Sequence, residues 1–253
     1  MKRNFSIVLT AFLLLPLAGC QNNSTDGAKV PADAPHTFAG YPVVYLTTDV
    51  SAKGLLAVYE ALEPSEGGTV VMKLSEQEDD FQWAELTEDL AQLIGEPSIV
   101  DGADEPNYTD YSSTLFLTHF HRHETTGFHG TVANLASLSS QTEENDFQSP
   151  NTDELMKSLA EHGNAAAKTL KGQVLYITVL DHFSIGDTAN DIAILSSYDP
   201  VSLDQACVDL VNMTEECQRL ALHIAGCNGL STLIQAEQMG LGSRTYAFLS
   251  IDN

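Results

Sequence analysis

Basic residues are scarce. The 253-residue chain has 11 Lys and Arg against 35 Asp and Glu, a formal charge of −24 at neutral pH. A surface this acidic repels phosphate backbones and anionic headgroups, which argues against nucleic acid as a partner. Its simplest role is to keep the domain soluble. Cysteine is also sparse: Cys20, Cys207, Cys217 and Cys227, with no Cys-x-x-Cys spacing. Zinc ribbons and iron–sulfur runs need that spacing, so neither is supported. No Gly-x-Ser-x-Gly elbow is present, which removes the signature of α/β-hydrolase serine catalysis. The apolar run at residues 5–17 is shorter than the ~20 residues of a permanent membrane helix.

That run has another reading. Lys2 and Arg3 precede it, and Leu17-Ala18-Gly19-Cys20 follows. A charged start, a short apolar stretch and small residues before a cleavage point describe a secretory signal peptide. Leu-Ala-Gly-Cys resembles the bacterial lipobox, which implies cleavage before Cys20 and acylation of that residue. Several acyl chains anchor stably, each buried CH₂ adding ~0.8 kcal/mol. Gln21 stands where Asp would signal inner-membrane retention, so the resemblance implies an outer-membrane anchor facing the periplasm. Residues 20–40 are polar and rich in Asn, Ala and Pro, the composition of a linker. Residues 41–253 remain as one domain, long enough for a full core.

An extracytoplasmic setting permits a disulfide, but three thiols beyond Cys20 leave at least one unpaired in a monomer. Cys217 and Cys227 fall near the ends of one expected helix. At 1.5 Å per residue they stand ~15 Å apart, too far to bond, which leaves a pair using Cys207 as the better candidate.

Strand and helix patterns alternate along the domain. Residues 43–47, 69–74, 98–100, 115–117, 174–180, 191–196 and 246–251 are apolar, β-branched runs that read as strands. Between them, residues 52–62, 83–93, 132–138, 153–171, 202–211, 215–225 and 231–239 have helical spacing. Asp49 or Ser51 can cap the first helix, and Ser202 the one after Asp199-Pro200. Continuous apolar strands interleaved with helices argue for an α/β fold: a mainly parallel sheet with helices on both faces. In such sheets ligands sit outside the carboxyl ends of the strands. Lys73, Asp101, His119 and the pair Asp181-His182 all fall at or just past strand ends.

One window stands out. Four of the eight His, namely His119, His121, His123 and His129, lie between Thr114 and Asn134. In extended chain His119, His121 and His123 face one way; in a helical turn His119 and His123 pair at i,i+4. Either geometry can bring two imidazoles to a transition metal such as zinc, nickel or iron, with Asp181, His182, Asp101 or Glu124 completing the set. The other reading is a polar loop with hydrogen-bonded His. Lys73, with Gly130 and Asn134 at a helix start, could instead hold a small anion. Asp204 and Asp209 read as structural, the first as a helix cap.

The same window resembles a known family. His119-Phe120, His123, Gly127-Phe128, Gly130 and Asn134 fit the pattern HFxxHxxxGFxGxxxN of the bacterial domain of unknown function 362 (DUF362). The run DIAILSSYDPVSLDQACVDLV at residues 191–211 and the Ala-Glu-x-x-Gly-Leu-Gly-Ser core within residues 233–252 are similar to later blocks of that family. Residues 43–74, with Lys73, resemble its opening. The resemblance implies relatives that often carry a ferredoxin-like iron–sulfur module. Here residues 182–187, HFSIGD, replace the Cys-x-Cys of many relatives, Ala133 replaces a Lys, and His121 and His129 stand where Lys and Gly are usual. An iron–sulfur redox protein is therefore disfavoured. Two expectations remain: a lipid-anchored protein with a His-lined, metal-binding site at the strand ends, or a binding or scaffold lipoprotein whose family site has decayed.

Overall fold

A computed structural model describes residues 36–252, apart from 66, 76–82, 96, 102–106, 140–151 and 181–191. The expected signal peptide, Cys20, Asp181 and His182 lie outside the described residues. The first described elements are β1 (Thr37–Phe38) and β2 (Tyr41–Thr47), paired antiparallel. β1 therefore falls inside the stretch expected to be linker. Ala39 and Gly40 join the two strands with φ of 54° and 84°. Positive φ at both central residues is the tight hairpin turn whose twist matches the strands.

Then come α1 (Ala52–Ala61), β3 (Val70–Leu74), α2 (Trp83–Ile94), β4 (Ser98–Asp101) and β5 (Ser113–His119). Two three-residue strands follow, β6 (His121–His123) and β7 (Gly127–His129), then α3 (Thr131–Ala136) and α4 (Thr152–Thr169). The chain continues through β8 (Gln173–Leu180), β9 (Ala193–Ser197), α5 (Pro200–Met213), α6 (Gln218–Gly226), α7 (Leu230–Gln238) and β10 (Ala247–Ser250). Ser51 caps α1, its side chain accepting from Gly54 N–H. Asp199, rather than Ser202, caps α5: its carboxylate accepts from Val201 and Ser202 N–H at 2.9 and 2.8 Å, and Pro200 fills the first turn.

The main sheet has eight strands in the order β1-β2-β9-β8-β5-β3-β4, with β10 beside β2. β4, β3, β5 and β8 are mutually parallel, and β10 is parallel to β2. β9 runs antiparallel to both neighbours, β2 and β8. Apart from β9 and the short β1, every strand thus ends at one shared edge, the carboxyl edge. The fold is the expected α/β layer with a parallel core and one reversed strand.

Side chains alternate across a strand, and the alternation sorts this chain into two cores. Phe116, Tyr176, Val44, Leu46 and Leu195 face one side, where they pack with α3 to α7. Leu115, Leu117, Leu175, Ile177, Val179, Ile194 and Met72 face the other, against α1 and α2. Removing both faces from water is the main stabilising term, ~1.5–3 kcal/mol per fully buried large apolar side chain. Two packed faces fix the ends of β3, β5 and β8 side by side.

Candidate functional site

β5 delivers His119 to the carboxyl edge between β3 and β8. Its N–H donates to Ser75 Oγ at 3.0 Å, and Ser75 N–H donates to Leu117 O at 2.8 Å. One residue on, Phe120 N–H donates to Val179 O of β8 at 2.9 Å. The chain then doubles back as the β6–β7 hairpin, with His121 opposite His129 and His123 opposite Gly127. Phe120 and Phe128 stack at 4.9 Å beneath it, both buried, so the hairpin is pinned to the larger core. At its turn, Gly127 has φ of 87°, and an added Cβ would meet Ile224 Cα of α6 at 3.0 Å. Only glycine suits both constraints.

This path stacks imidazoles. The His121 and His129 rings are parallel within 6° at 5.0 Å between centroids. The His119 and His121 rings lie 5.3 Å apart but tilted by 36°, so they are not stacked. His121 Nδ1 lies 3.0 Å from His119 O. A carbonyl only accepts, so Nδ1 carries the proton and the neutral ring keeps its lone pair on Nε2. His129 is held neutral: burial first, then the charges of His121, His123, His119 and Lys73, push its pKa down to about 3. It retains some exposed surface, and burial is the largest cause of the shift.

His123, expected as a ligand with His119, has its Nδ1 engaged at the hairpin turn. Thr126 N–H donates to its Nδ1 at 3.2 Å, and Thr126 Oγ1 lies 2.8 Å from the same nitrogen. Thr126 Oγ1 in turn donates to Phe128 O at 2.9 Å, so the His123 ring is tied into the hairpin turn. His123 O accepts from His223 Nε2 of α6 at 2.9 Å, a second tie from hairpin to helix. Sequence reasoning placed His129 in the cluster but passed it over as a ligand. It is the ring that shares a face with His121, because hairpin register sets which side chains meet, and three-residue strands leave no periodicity to read.

Lys73 is buried, 4% exposed, on β3 opposite Phe116 and close enough for its charge to act on His129. Asp101 closes β4 at the same edge. Gly130 and Asn134 hold no site for an external anion. The Asp204 carboxylate, from α5, already sits at the start of α3, accepting from Thr131 and Val132 N–H at 2.6 and 2.9 Å. Asp204 thus caps α3, not its own helix. Gly130 provides the room, since a Cβ there would stand 2.7 Å from that carboxylate. Burial raises the Asp204 pKa to about 6 despite these hydrogen bonds, and burial does the same to Asp199. Asn134 donates to Thr118 Oγ1 at 3.0 Å and Leu117 O at 3.3 Å, and Thr131 Oγ1 meets Thr178 Oγ1 at 2.9 Å. These bonds stitch α3 to β5 and β8. Asp209 is structural as expected, accepting from Gln205 and the Tyr246 hydroxyl.

Cys207 and Cys217 are buried, Cys227 is half-buried, and none forms a disulfide, so the pair expected to use Cys207 is not made. Cys217 and Cys227 flank α6. Thiols spread through helical packing in this way do not fit an iron–sulfur cluster. Among the described residues, no three His, Cys, Asp or Glu side chains converge on one ion position. Nor is any described helix long and apolar enough to cross a membrane.

The class these features define is an α/β domain with an imidazole cluster at the carboxyl edge of its sheet. Within that class, residues 106–209 match the model of a family described as a domain of unknown function, DUF362. That span holds the His window, Asn134 and the Asp-Pro run with Asp204. No curated protein and no solved structure matches the chain.

Proposed function

We propose that this protein is a lipid-anchored, periplasm-facing binding protein whose site is the group of His119, His121 and His129 at the carboxyl edge, and that a transition metal ion held there by imidazole takes its other ligands from outside the described residues. The observation that carries the reading is the state of the rings. Ligating His must be neutral, and its other nitrogen is usually tied to a carbonyl or carboxylate. His129 is kept neutral by burial and neighbouring cations, and His121 Nδ1 is tied to His119 O. These rings alone do not close a coordination shell. Asp181 and His182, which follow β8 in sequence and lie outside the described residues, are the candidates for the remaining donors. His121 was among the expected ligands, and His129 joins it. Lys73 would hold an anionic co-ligand of the metal.

A second reading is favoured by one observation. Gly127, Gly130, Asn134 and His123 of the family pattern are each used in internal packing or hydrogen bonds. A scaffold needs no more than that. Titration calorimetry on the untagged full chain with zinc, nickel, copper and iron(II) separates the two. The metal reading expects binding near pH 7 that is lost in His121→Ala, His129→Ala protein and kept in His162→Ala, whose His lies on α4. Binding equal in all three, or in none, gives the scaffold reading the lead.

A further inference from the structure

The hairpin that opens the described chain exposes two aromatics. Phe38 and Tyr41 are cross-strand partners in β1 and β2, 53% and 44% exposed. The hairpin is not a loose end. Val43 N–H donates to His36 O at 3.0 Å, and the His36 ring stacks on Tyr198 at 4.4 Å and 17°. Tyr41 begins β2, so the pair lies at the amino edge of the sheet, opposite the His cluster. Strand rise of ~3.3 Å per residue puts the two edges roughly 20 Å apart.

We propose that this amino edge docks on a zwitterionic phospholipid bilayer, with Phe38 and Tyr41 seated at headgroup level. The proposal rests on the lipid-anchored reading. Sixteen residue steps separate Cys20 from His36, a reach of at most ~55 Å when fully extended. The hairpin is the first part of the domain that an anchored chain presents to the membrane. Aromatic rings with an apolar body, and for Tyr a polar tip, favour the membrane–water interface. The chain as a whole is strongly acidic, but this edge carries Lys168 and Lys171, at the end of α4 and before β8, as well as Glu60, Glu63 and Asp110. A chain of this net charge is repelled by an anionic surface, which leaves a zwitterionic one as the occupant. Docked in this way, the protein turns its His cluster toward the periplasm, open to a diffusing ligand.

Depth-dependent quenching tests the orientation. The full acylated chain is placed in phosphatidylethanolamine–phosphatidylcholine vesicles whose acyl chains carry bromine. Native Trp83 is buried, 1% exposed, and supplies a constant background. Phe38→Trp is the probe, with Tyr41→Trp as a second should the first disturb the hairpin. Leu222→Trp is the control: Leu222 is 68% exposed on α6, which packs on the hairpin at the other edge. The proposal expects the Phe38→Trp emission to be quenched several-fold more than the control. Equal quenching of both overturns it. No quenching while the chain floats with the vesicles also overturns it, and a blue-shifted, unquenched probe would assign the pair to contact with a second copy. A chain that does not float overturns the anchor, and the proposal with it.

Discussion

Replacing Gly130 by Ala should be among the costliest single-methyl changes in this protein. Gly130 has φ of −132°, extended backbone that alanine adopts without strain, so the penalty is purely one of space. The new Cβ would stand 2.7 Å from Cγ, Oδ1 and Oδ2 of Asp204. Asp204 is 0% exposed and cannot swing into water. Either α3 shifts off α5, or the carboxylate leaves the Thr131 and Val132 N–H groups that it now satisfies. Overpacking a core costs ~1–3 kcal/mol, and each orphaned buried donor costs ~1–3 kcal/mol. A loss of about 2–4 kcal/mol follows. For a domain of this size that lowers Tm by roughly 4–16 °C, at ~2–4 °C per kcal/mol. Thermal and urea unfolding at pH 7 measure it. Gly226→Ala at the end of α6 is the control, because nothing lies within 4 Å of its added Cβ. It should be neutral or stabilise by up to ~1 kcal/mol. A Gly130→Ala protein within ~0.5 kcal/mol of the parent, the usual span of surface changes, would refute the Asp204 cap.

Other outcomes follow from the same contacts. The folded Asp204 pKa of about 6 exceeds the usual 3.8, so the folded state binds the proton first. The stability it contributes is present in full below pH ~4 and is lost as pH rises through ~6, a swing on the order of 3 kcal/mol. Asp204→Asn should remove that swing from the unfolding free energy measured across pH 4–7. His129 acts in the opposite sense: with its folded pKa near 3 against 6.5, the unfolded chain binds the proton first. His129→Gln should therefore lose less stability than the parent as pH falls below ~6.5. Cys227, the half-buried thiol, should react with Ellman's reagent in the native protein, whereas buried Cys207 and Cys217 should react only after unfolding. Cys20→Ser should leave an unprocessed chain that is absent from the membrane fraction, and normal processing would contradict lipidation.

Much of the fold was legible because its strands obey two simple rules. Residues 115–117 and 174–180 are continuous apolar runs, and such runs occur where both faces of a sheet are covered. Strand direction is a different matter. Nothing in Ala193–Ser197 says that it runs against β8, because hydrophobic patterning carries no polarity. The β6–β7 hairpin was hidden by its brevity, and β1 by a turn built from Ala39-Gly40 within a polar stretch. The place of the candidate site, at the carboxyl edge after β5, could be read from strand ends alone. Its composition could not. His129 stands beside His121 because of the hairpin register, and Thr126 engages His123. The acceptor at the start of α3 comes from Asp204, more than 70 residues away in sequence, and its match with Gly130 is a matter of distances that only packing sets.

Metal content is the most direct test of the central claim. The full chain, without a His tag and purified from membranes without chelator, would be assayed by elemental analysis alongside its His121→Ala, His129→Ala counterpart. The metal-binding account predicts about one transition-metal ion per parent chain and none in the variant. A parent chain that carries no metal, and acquires none on incubation with zinc, nickel, copper or iron(II), would contradict it.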